Sequence, residues 1–190
     1  MDTGIIIPMG LFIRDLHRNI EQLHKNQFGD QKSVKSFIVY RGQGMFKSEF
    51  EQLRKNKSGL IAFNTFLSTS KNRDVSVLFA ESDVSDPNLV GILFVMNIDS
   101  TQLTTPFACI TDVSYFEVED EVLFSMHTVF RISEITPMNE NHRIFEVNLT
   151  LTNDNDQNLR RLTEQMFVQQ LELRIKAEVL VYPQGKTKHR

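Results

Sequence analysis

Three stretches of the chain repeat apolar residues at three- and four-residue spacing, which predicts amphipathic helices. The first stretch, over residues 11–26, places four apolar residues on one face: Ile13, Leu16, Ile20 and Leu23. The second is shorter and covers Lys47–Lys55, and the third starts near Ser70 and ends near Ser82. The third helix would bury a stripe of three side chains: Val75, Leu78 and Phe79.

Runs of apolar and β-branched residues predict the strands. Residues 37–40 form a short run that ends at Arg41, and a second short run covers Leu60–Phe63. Four further runs follow: residues 89–98, 107–110, 121–135 (two strands) and 143–151. Helices followed by a block of strands are typical of an α+β fold with antiparallel pairing. We therefore expect two mainly antiparallel sheets packed face to face, with helices at the N-terminal side and a cleft between the sheets.

Helical periodicity returns after the turn-forming residues 153–156. The apolar positions of this last segment are Leu159, Leu162, Met166, Leu171 and Ile175. We therefore divide the chain into a domain of residues 1–152 and a C-terminal helical extension or linker of residues 153–190. The extension either docks on the domain or leads into a further module.

The composition is that of an ordinary globular domain, with 190 residues of which 41% are hydrophobic and 24% are charged. A formal net charge of -3 provides no electrostatic attraction for nucleic acid. The apolar patch at residues 5–13 is too short to span a bilayer and is interrupted by Pro8 and Gly10. We therefore expect neither nucleic acid nor a membrane as a partner.

Cysteine and histidine usage argues against thiol and metal chemistry. Cys109 is the single cysteine and has apolar neighbours, so a buried, inert thiol is expected. The 5 histidines lack metal-ligand spacing, so no metal site is expected. The absence of a possible internal disulfide favours an intracellular, cytoplasmic location, although a single cysteine is also compatible with secretion.

Four acidic residues fall within residues 117–121, directly before an apolar strand: Glu117, Glu119, Asp120 and Glu121. Residues i and i+2 of a strand point to the same face, so Glu119 and Glu121 would project together, roughly 6.5–7 Å apart. Repulsion would make one carboxyl group hold its proton more tightly, as acid/base and cation-stabilising sites require. Taken alone, the acids also fit a solvated loop that leads into a strand.

Two other features carry candidate chemistry. Arg41 at a strand end is followed by Gly42. A guanidinium suits a bidentate phosphate contact, and glycine lets the backbone approach a ligand closely. The Ser-Thr-Ser run at residues 68–70 follows an aromatic strand, and its hydroxyls can orient a carboxylate or a sugar hydroxyl. Ser70 also fits the N-cap of the helix that follows.

Arg41, the Ser-Thr-Ser run at 68–70 and Glu119-x-Glu121, in this order, closely resemble the motifs of the arginine–serine–glutamate class of mono-ADP-ribosyltransferases. Phe116, five residues before Glu121, matches the aromatic residue of that family's substrate-recognition turn. Glutamate at position 119 resembles the arginine-modifying members, and the lack of extracellular disulfides resembles an intracellular, eukaryotic-like branch. The resemblance extends to about residue 151 and implies the family's α+β fold.

The resemblance implies NAD as the substrate, without a metal. The residues implied to bind it are Arg41, Gly42, Ser68, Thr69, Phe79 and Glu121. Arg41 would hold a phosphate, the Gly42 backbone would contact the nicotinamide amide, and Ser68 would bind Glu121 and help seat the nicotinamide ribose. Phe79 would stack on nicotinamide, or would be an ordinary core residue.

The resemblance also implies a division of work between the two glutamates. Glu121 would bind the ribose 2′-hydroxyl and stabilise the cation that forms as nicotinamide leaves, while Glu119 and Phe116 would recognise the acceptor arginine. Asp120 adds a further charge, which strand alternation would turn to the other face. The implied function is transfer of ADP-ribose from NAD to protein arginine. The alternatives are an NAD glycohydrolase and a catalytically idle NAD-binding module of the same fold.

Overall fold

The computed structural model describes residues 3–28, 36–99, 105–110, 120–138, 143–152 and 156. Apart from Asp156, these residues lie in one compact unit, Met1–Asn153. Phe116, Glu119 and nearly all of the proposed C-terminal extension lie outside the described residues. The statements made about them from the sequence, including the domain boundary at residue 152, stay predictions.

Three α-helices form in the described part of the chain: α1 (Thr3–Phe28), α2 (Lys47–Lys55) and α3 (Arg73–Ser82), the last followed by a short 3₁₀ turn at Asp83–Ser85. The bounds of α2 agree with the sequence pattern. Helix α1 begins at Thr3 instead of residue 11, so it contains Pro8 and Gly10. Helix propensity only weakly determines where a helix begins, and the low propensities of Pro8 and Gly10 do not end this helix of 26 residues.

Eight strands are described: β1 (Phe37–Phe46), β2 (Leu60–Phe63), β3 (Leu67–Ser70), β4 (Leu89–Ile98), β5 (Phe107–Cys109), β6 (Glu121–Phe124), β7 (Thr128–Pro137) and β8 (Ile144–Leu151). Their order in the sheet is β2-β7-β8-β4-β1-β3-β6-β5. All neighbouring pairs are antiparallel except β4 and β8. The expected α+β class is therefore confirmed.

The expectation of two separate sheets is not confirmed, because these strands form one hydrogen-bonded sheet. Its narrowest point lies between β1 and β3, where the only paired positions are Tyr40 and Ser70. The ring of Phe124 on β6 nevertheless lies 5.9 Å from that of Phe130 on β7, five positions away in the strand order. A flat sheet would separate these strands by about 24 Å. The sheet is therefore folded, with one part packed on the other.

The main core lies between the two parts of the folded sheet. Its fully buried aromatic side chains come from four strands: Phe94, Phe107, Phe124 and Phe130. They belong to one cluster that also contains aliphatic residues of β1, β4, β7 and β8. This close packing of rings from distant strands holds the sheet in its folded shape.

Helix α1 covers the edge strand β5. The Gln27 side-chain amide donates to the Cys109 carbonyl oxygen and accepts from the Cys109 N–H, both at 2.9 Å. His24 Nδ1 lies 2.8 Å from the Phe107 carbonyl oxygen, and His17 Nδ1 lies 2.5 Å from Ser125 Oγ. The contacts of Gln27 and His24 satisfy open backbone groups of this sheet edge, and the contact of His17 with Ser125 joins two side chains. Cys109 itself is only partly buried, which differs from the fully buried thiol that was expected.

Helix α3 does not bury the predicted apolar stripe. Its buried residues are Ser76 and Ala80, whereas Leu78 and Phe79 are 66% and 53% exposed. The reason is a very close approach of the helix to the sheet. A Cβ added at Gly42 would lie 1.7 Å from the Ser76 carbonyl oxygen, so only small side chains fit at this contact.

No helix within the described residues is both long enough and apolar enough to cross a membrane.

Candidate active site

The pairing of three neighbouring strands brings Arg41, Ser68 and Glu121 together. Tyr40 on β1 is opposite Ser70 on β3, and Ser70 is in turn opposite Glu121 on β6. Arg41 lies within β1 and not at its end, because the ten-residue pairing of β1 with β4 continues the strand through Gly42 and Gly44. Strand pairing here outweighs the low β-propensity of glycine.

Ser68 Oγ donates a hydrogen bond of 2.7 Å to Glu121 Oε1. Ser68 is two residues from Ser70, the direct partner of Glu121, so the two side chains are diagonal neighbours on one face of the sheet. Both residues are partly buried. The hydrogen bond fixes the carboxylate on Ser68, the residue whose carbonyl oxygen accepts from Arg41 Nη1.

The two hydroxyl side chains that follow Ser68 have structural partners. Thr69 is 3% exposed, and its Oγ1 donates to the Val122 carbonyl oxygen at 2.8 Å. Ser70 Oγ accepts a hydrogen bond from the Asn72 N–H at 2.9 Å. Ser70 is not the N-cap of α3, because Asn72 Oδ1 accepts from the N–H of Asp74, at 3.1 Å, in that role.

The guanidinium of Arg41 is held at two points. Its Nη1 donates to the Ser68 carbonyl oxygen at 2.8 Å, and its Nε donates to Gln43 Oε1 at 3.0 Å. Burial lowers the pKa of Arg41 from its usual value, because the charged form loses water. Among the described residues no carboxylate forms an ion pair with Arg41. A partly buried cation that forms no ion pair with these residues is a favourable binding site for an anion.

A cavity of ≈ 240 Å³ lies where β1 and β3 separate beyond their single paired position. Its walls come from β1, β3 and α3, and its lining residues are Tyr40, Arg41, Gly42, Ser68, Thr69, Ser70, Val75, Ser76 and Phe79. The close contact of α3 with Gly42 brings the half-exposed ring of Phe79 to this cavity. Phe79 is therefore not an ordinary core residue.

Asp120 interrupts the strand on which the alternation of Glu119 and Glu121 was based. Its φ is 44°, in the left-handed region, and β6 begins only at Glu121. The Asp120 carbonyl oxygen accepts from the Lys71 N–H at 3.2 Å. Aspartate tolerates this backbone conformation better than most residues. The i, i+2 argument therefore does not apply across Asp120, and Glu119 lies outside the described residues.

Sequence reasoning missed Gln43, which contacts the guanidinium of Arg41. A signal was present, because residues 41 and 43 of one strand share a face. It also missed β3 as a strand, since the Ser-Thr-Ser run lacks the apolar and β-branched pattern from which the other strands were predicted. Within the described ranges no group of three or more His, Cys, Asp or Glu side chains is placed to hold a metal ion.

Comparison with known proteins gives one family match and several structural matches. The model of a family described as NAD:arginine ADP-ribosyltransferase matches residues 12–157. No curated protein matches the chain.

Among the solved structures with a similar fold are ADP-ribosyltransferases from Vibrio splendidus and Salmonella. The Vis toxin of Vibrio splendidus is 22% identical with a TM-score of 0.52, and the match covers 82% of this chain and 64% of that chain. Vis in complex with agmatine matches with a TM-score of 0.55, at 22% identity over 82% and 65% of the two chains. The Salmonella SpvB domain is 17% identical with a TM-score of 0.53, and the match covers 80% of this chain and 76% of that chain. The chain thus spans less than two thirds of the Vis chain, and at these identities the likeness concerns the fold.

Proposed function

Because the chain belongs to the NAD:arginine ADP-ribosyltransferase family, we propose that it transfers ADP-ribose from NAD to arginine side chains of proteins and releases nicotinamide. The observation that carries this proposal is the Ser68–Glu121 hydrogen bond of 2.7 Å beside a cavity that Arg41 also lines. A carboxylate held in this way is suited to stabilising a cation, and an arginine that forms no ion pair with a carboxylate of the described residues is suited to binding a phosphate.

The cavity is compatible with the reactive end of NAD. Its ≈ 240 Å³ lies below the range of about 300–1,000 Å³ that is usual for pockets of drug-sized ligands. It therefore suits nicotinamide and its ribose, with the rest of the dinucleotide outside. The Phe79 ring, 53% exposed at the cavity, offers a face for stacking on nicotinamide. The backbone of Gly42 lies at the wall where it can bind the carboxamide.

Arg41 would bind a phosphate of NAD. Its guanidinium already carries the desolvation that accompanies burial, and its pKa is lowered for that reason. A phosphate oxygen would supply the missing negative charge through charge-assisted hydrogen bonds, which are stronger than neutral ones. Arginine stays protonated in proteins, so this contact persists over the pH range in which the protein is folded.

Glu121 would act at the ribose. One carboxylate oxygen accepts from Ser68, and the carboxylate would also accept from the ribose 2′-hydroxyl and stabilise positive charge as the bond between C1′ and nicotinamide breaks. The electron pair of that bond leaves with nicotinamide. A guanidinium nitrogen of the acceptor then forms the new bond to C1′, and its proton must pass to a base.

Glu119 is proposed as that base, and Phe116 as a contact for the acceptor. This assignment rests on the resemblance of Phe116-x-x-Glu119-x-Glu121 to the arginine-modifying type. A relative of similar fold, Vis, is known in complex with agmatine, a small guanidine. The proposed partners are thus NAD and proteins that expose an arginine.

The test is to incubate the protein with NAD and agmatine and to separate ADP-ribosyl-agmatine from free ADP-ribose. We expect nicotinamide release together with ADP-ribosyl-agmatine. Free ADP-ribose alone would identify an NAD glycohydrolase, in which water replaces the guanidine. Binding of NAD without nicotinamide release would identify an idle binding module, and either result would contradict the proposal.

A further inference from the structure

Gln43 holds the guanidinium of Arg41 through a side-chain hydrogen bond. Both residues belong to β1 and are two positions apart, so their side chains share a face of the strand. Arg41 Nε donates to Gln43 Oε1 at 3.0 Å. Gln43 does not line the cavity that Arg41 lines, and it is partly buried. It therefore acts on the cavity through Arg41.

The two hydrogen bonds of Arg41 determine which way its guanidinium faces. Gln43 takes the Nε donor and the Ser68 backbone takes one Nη1 donor. A guanidinium is planar with five N–H donors in a fixed fork. Once two acceptors hold it from different sides, the remaining donors point in a defined direction, and Arg41 is a wall of the cavity.

For anion binding by Arg41, the absence of charge on the Gln43 side chain matters as much as its position. A carboxylate in the same place would form an ion pair with Arg41 and would compete with any anion in the cavity. An apolar side chain would leave Nε–H without its acceptor in a partly buried place, which is unfavourable. A glutamine amide oxygen orients the guanidinium and leaves its positive charge available.

We propose that Gln43 is a positioning residue for NAD binding, which presents the guanidinium of Arg41 to the NAD phosphate without neutralising it. This inference rests on the proposed function. It concerns binding and not the breaking of the bond to nicotinamide, so Gln43 affects KM for NAD and leaves kcat nearly unchanged.

The experiment compares Gln43→Met, Gln43→Glu and a control, Gln52→Met, through nicotinamide release at varied NAD. Methionine keeps the length of the side chain without the acceptor. Gln52 lies exposed on α2 and serves as the control for the same substitution elsewhere. We expect Gln43→Met to raise KM by about tenfold or more, with kcat within about twofold, since a hydrogen bond to a charged group has this effect. Gln52→Met should match the wild type.

Gln43→Glu gives a readout that a merely structural role would not produce. The new carboxylate should pair with Arg41 and raise the unfolding temperature, while it raises KM for NAD by at least as much as Gln43→Met does. Stability and NAD affinity would then change in opposite directions. If Gln43 had only a structural role, the stability and the NAD affinity of Gln43→Glu would fall together.

A wild-type KM in Gln43→Met, or a fall in kcat and in unfolding temperature with KM unchanged, would overturn this inference while the proposed function stands. A wild-type KM in Gln43→Glu would also overturn it. If the wild-type protein neither binds nor cleaves NAD, the proposed function fails in the reference measurement, and the inference about Gln43 fails with it.

Discussion

Ser68 and Glu121 form the contact on which the proposed chemistry of this protein depends. A carboxylate on a flexible side chain has several rotamers, and the 2.7 Å hydrogen bond selects one of them. Because both residues lie on paired strands, their backbones are also fixed. Such preorganisation lets a charged group act on the transition state without rearranging during the reaction.

Substitution should distinguish the proposed roles of Glu119 and Glu121. Glu121→Gln should abolish nicotinamide release both with and without agmatine, with a loss on the order of 10²–10³ or more in kcat, because the proposed cation loses its counter-charge. Glu119→Gln should remove transfer to agmatine and leave slow NAD hydrolysis, because Glu119 is proposed to serve only the acceptor. Both products are measured side by side.

The two substitutions are controls for each other, since both remove one charge and keep the side-chain shape. The assignment of Glu121 would be wrong if Glu121→Gln still cleaved NAD at the wild-type rate. The assignment of Glu119 would be wrong if Glu119→Gln still modified agmatine at the wild-type rate.

At the scale of secondary-structure elements, helix α3 forms one wall of the cavity because it lies unusually close to the sheet. Gly42 on β1 and Gly91 on β4 provide the space, since a Cβ at Gly91 would lie 2.2 Å from the Ala80 carbonyl oxygen. Arg73 at the start of the helix forms an ion pair of 3.0 Å with Glu146 on β8. The small residues thus set the distance of the helix from the sheet.

Gly42→Ala should therefore displace α3. The added methyl group meets the backbone of Ser76 and Ala80, which cannot turn away as a flexible side chain could. We expect a loss of about 3 kcal/mol or more in the free energy of unfolding, which is the upper end of the losses that overpacked cores usually show. KM for NAD should also rise, because Phe79 moves with the helix. Denaturant unfolding and nicotinamide release measure the two effects.

Gly59→Ala is the matched control for this change. The three atoms nearest to the new Cβ there belong to the side chain of Asn56, which can move at the cost of an exposed hydrogen bond to the Leu60 carbonyl oxygen. Its free energy of unfolding should stay within about 1 kcal/mol of the wild type. Equal stability of Gly42→Ala and Gly59→Ala would contradict the account of α3 packing.

At the scale of the whole molecule, the folded sheet creates both the core and the cleft. The separation of β1 from β3 beyond Tyr40 and Ser70 opens the cavity on one side of the fold. Contacts such as Phe124–Phe130 hold the two parts of the sheet against each other. The packed core and the cavity of the candidate site therefore both depend on the way the sheet is folded.

Phe124→Ala should destabilise the molecule by about 3–5 kcal/mol, because it opens a cavity between the two parts of the sheet. Phe124 and Phe130 are both fully buried. Phe12→Ala is the comparison, since that ring is 66% exposed on α1, and its effect should stay within about 0.5 kcal/mol. The free energy of unfolding in denaturant measures both. A loss below about 1 kcal/mol in Phe124→Ala would contradict the proposed packing of the two parts.

The local pattern of the chain determined much of the fold. Apolar periodicity predicted the core of α1, all of α2 and most strands, because each of these depends on residues close together in sequence. The α+β class followed from their order. The order of Arg41, the Ser-Thr-Ser run and the glutamates pointed to the family that the match to residues 12–157 supports.

Only the tertiary structure decided how these elements meet. Strand β3 is held by its neighbours despite its hydroxyl side chains, and α3 turns Phe79 outward because glycines allow close approach to the sheet. No periodic signal predicted the left-handed backbone of Asp120, and the contact of Gln43 with Arg41 followed only once strand pairing had continued β1 beyond Arg41. The physical reason is distance along the chain: Ser68 and Glu121 are 53 residues apart, and only strand pairing brings them within a hydrogen bond.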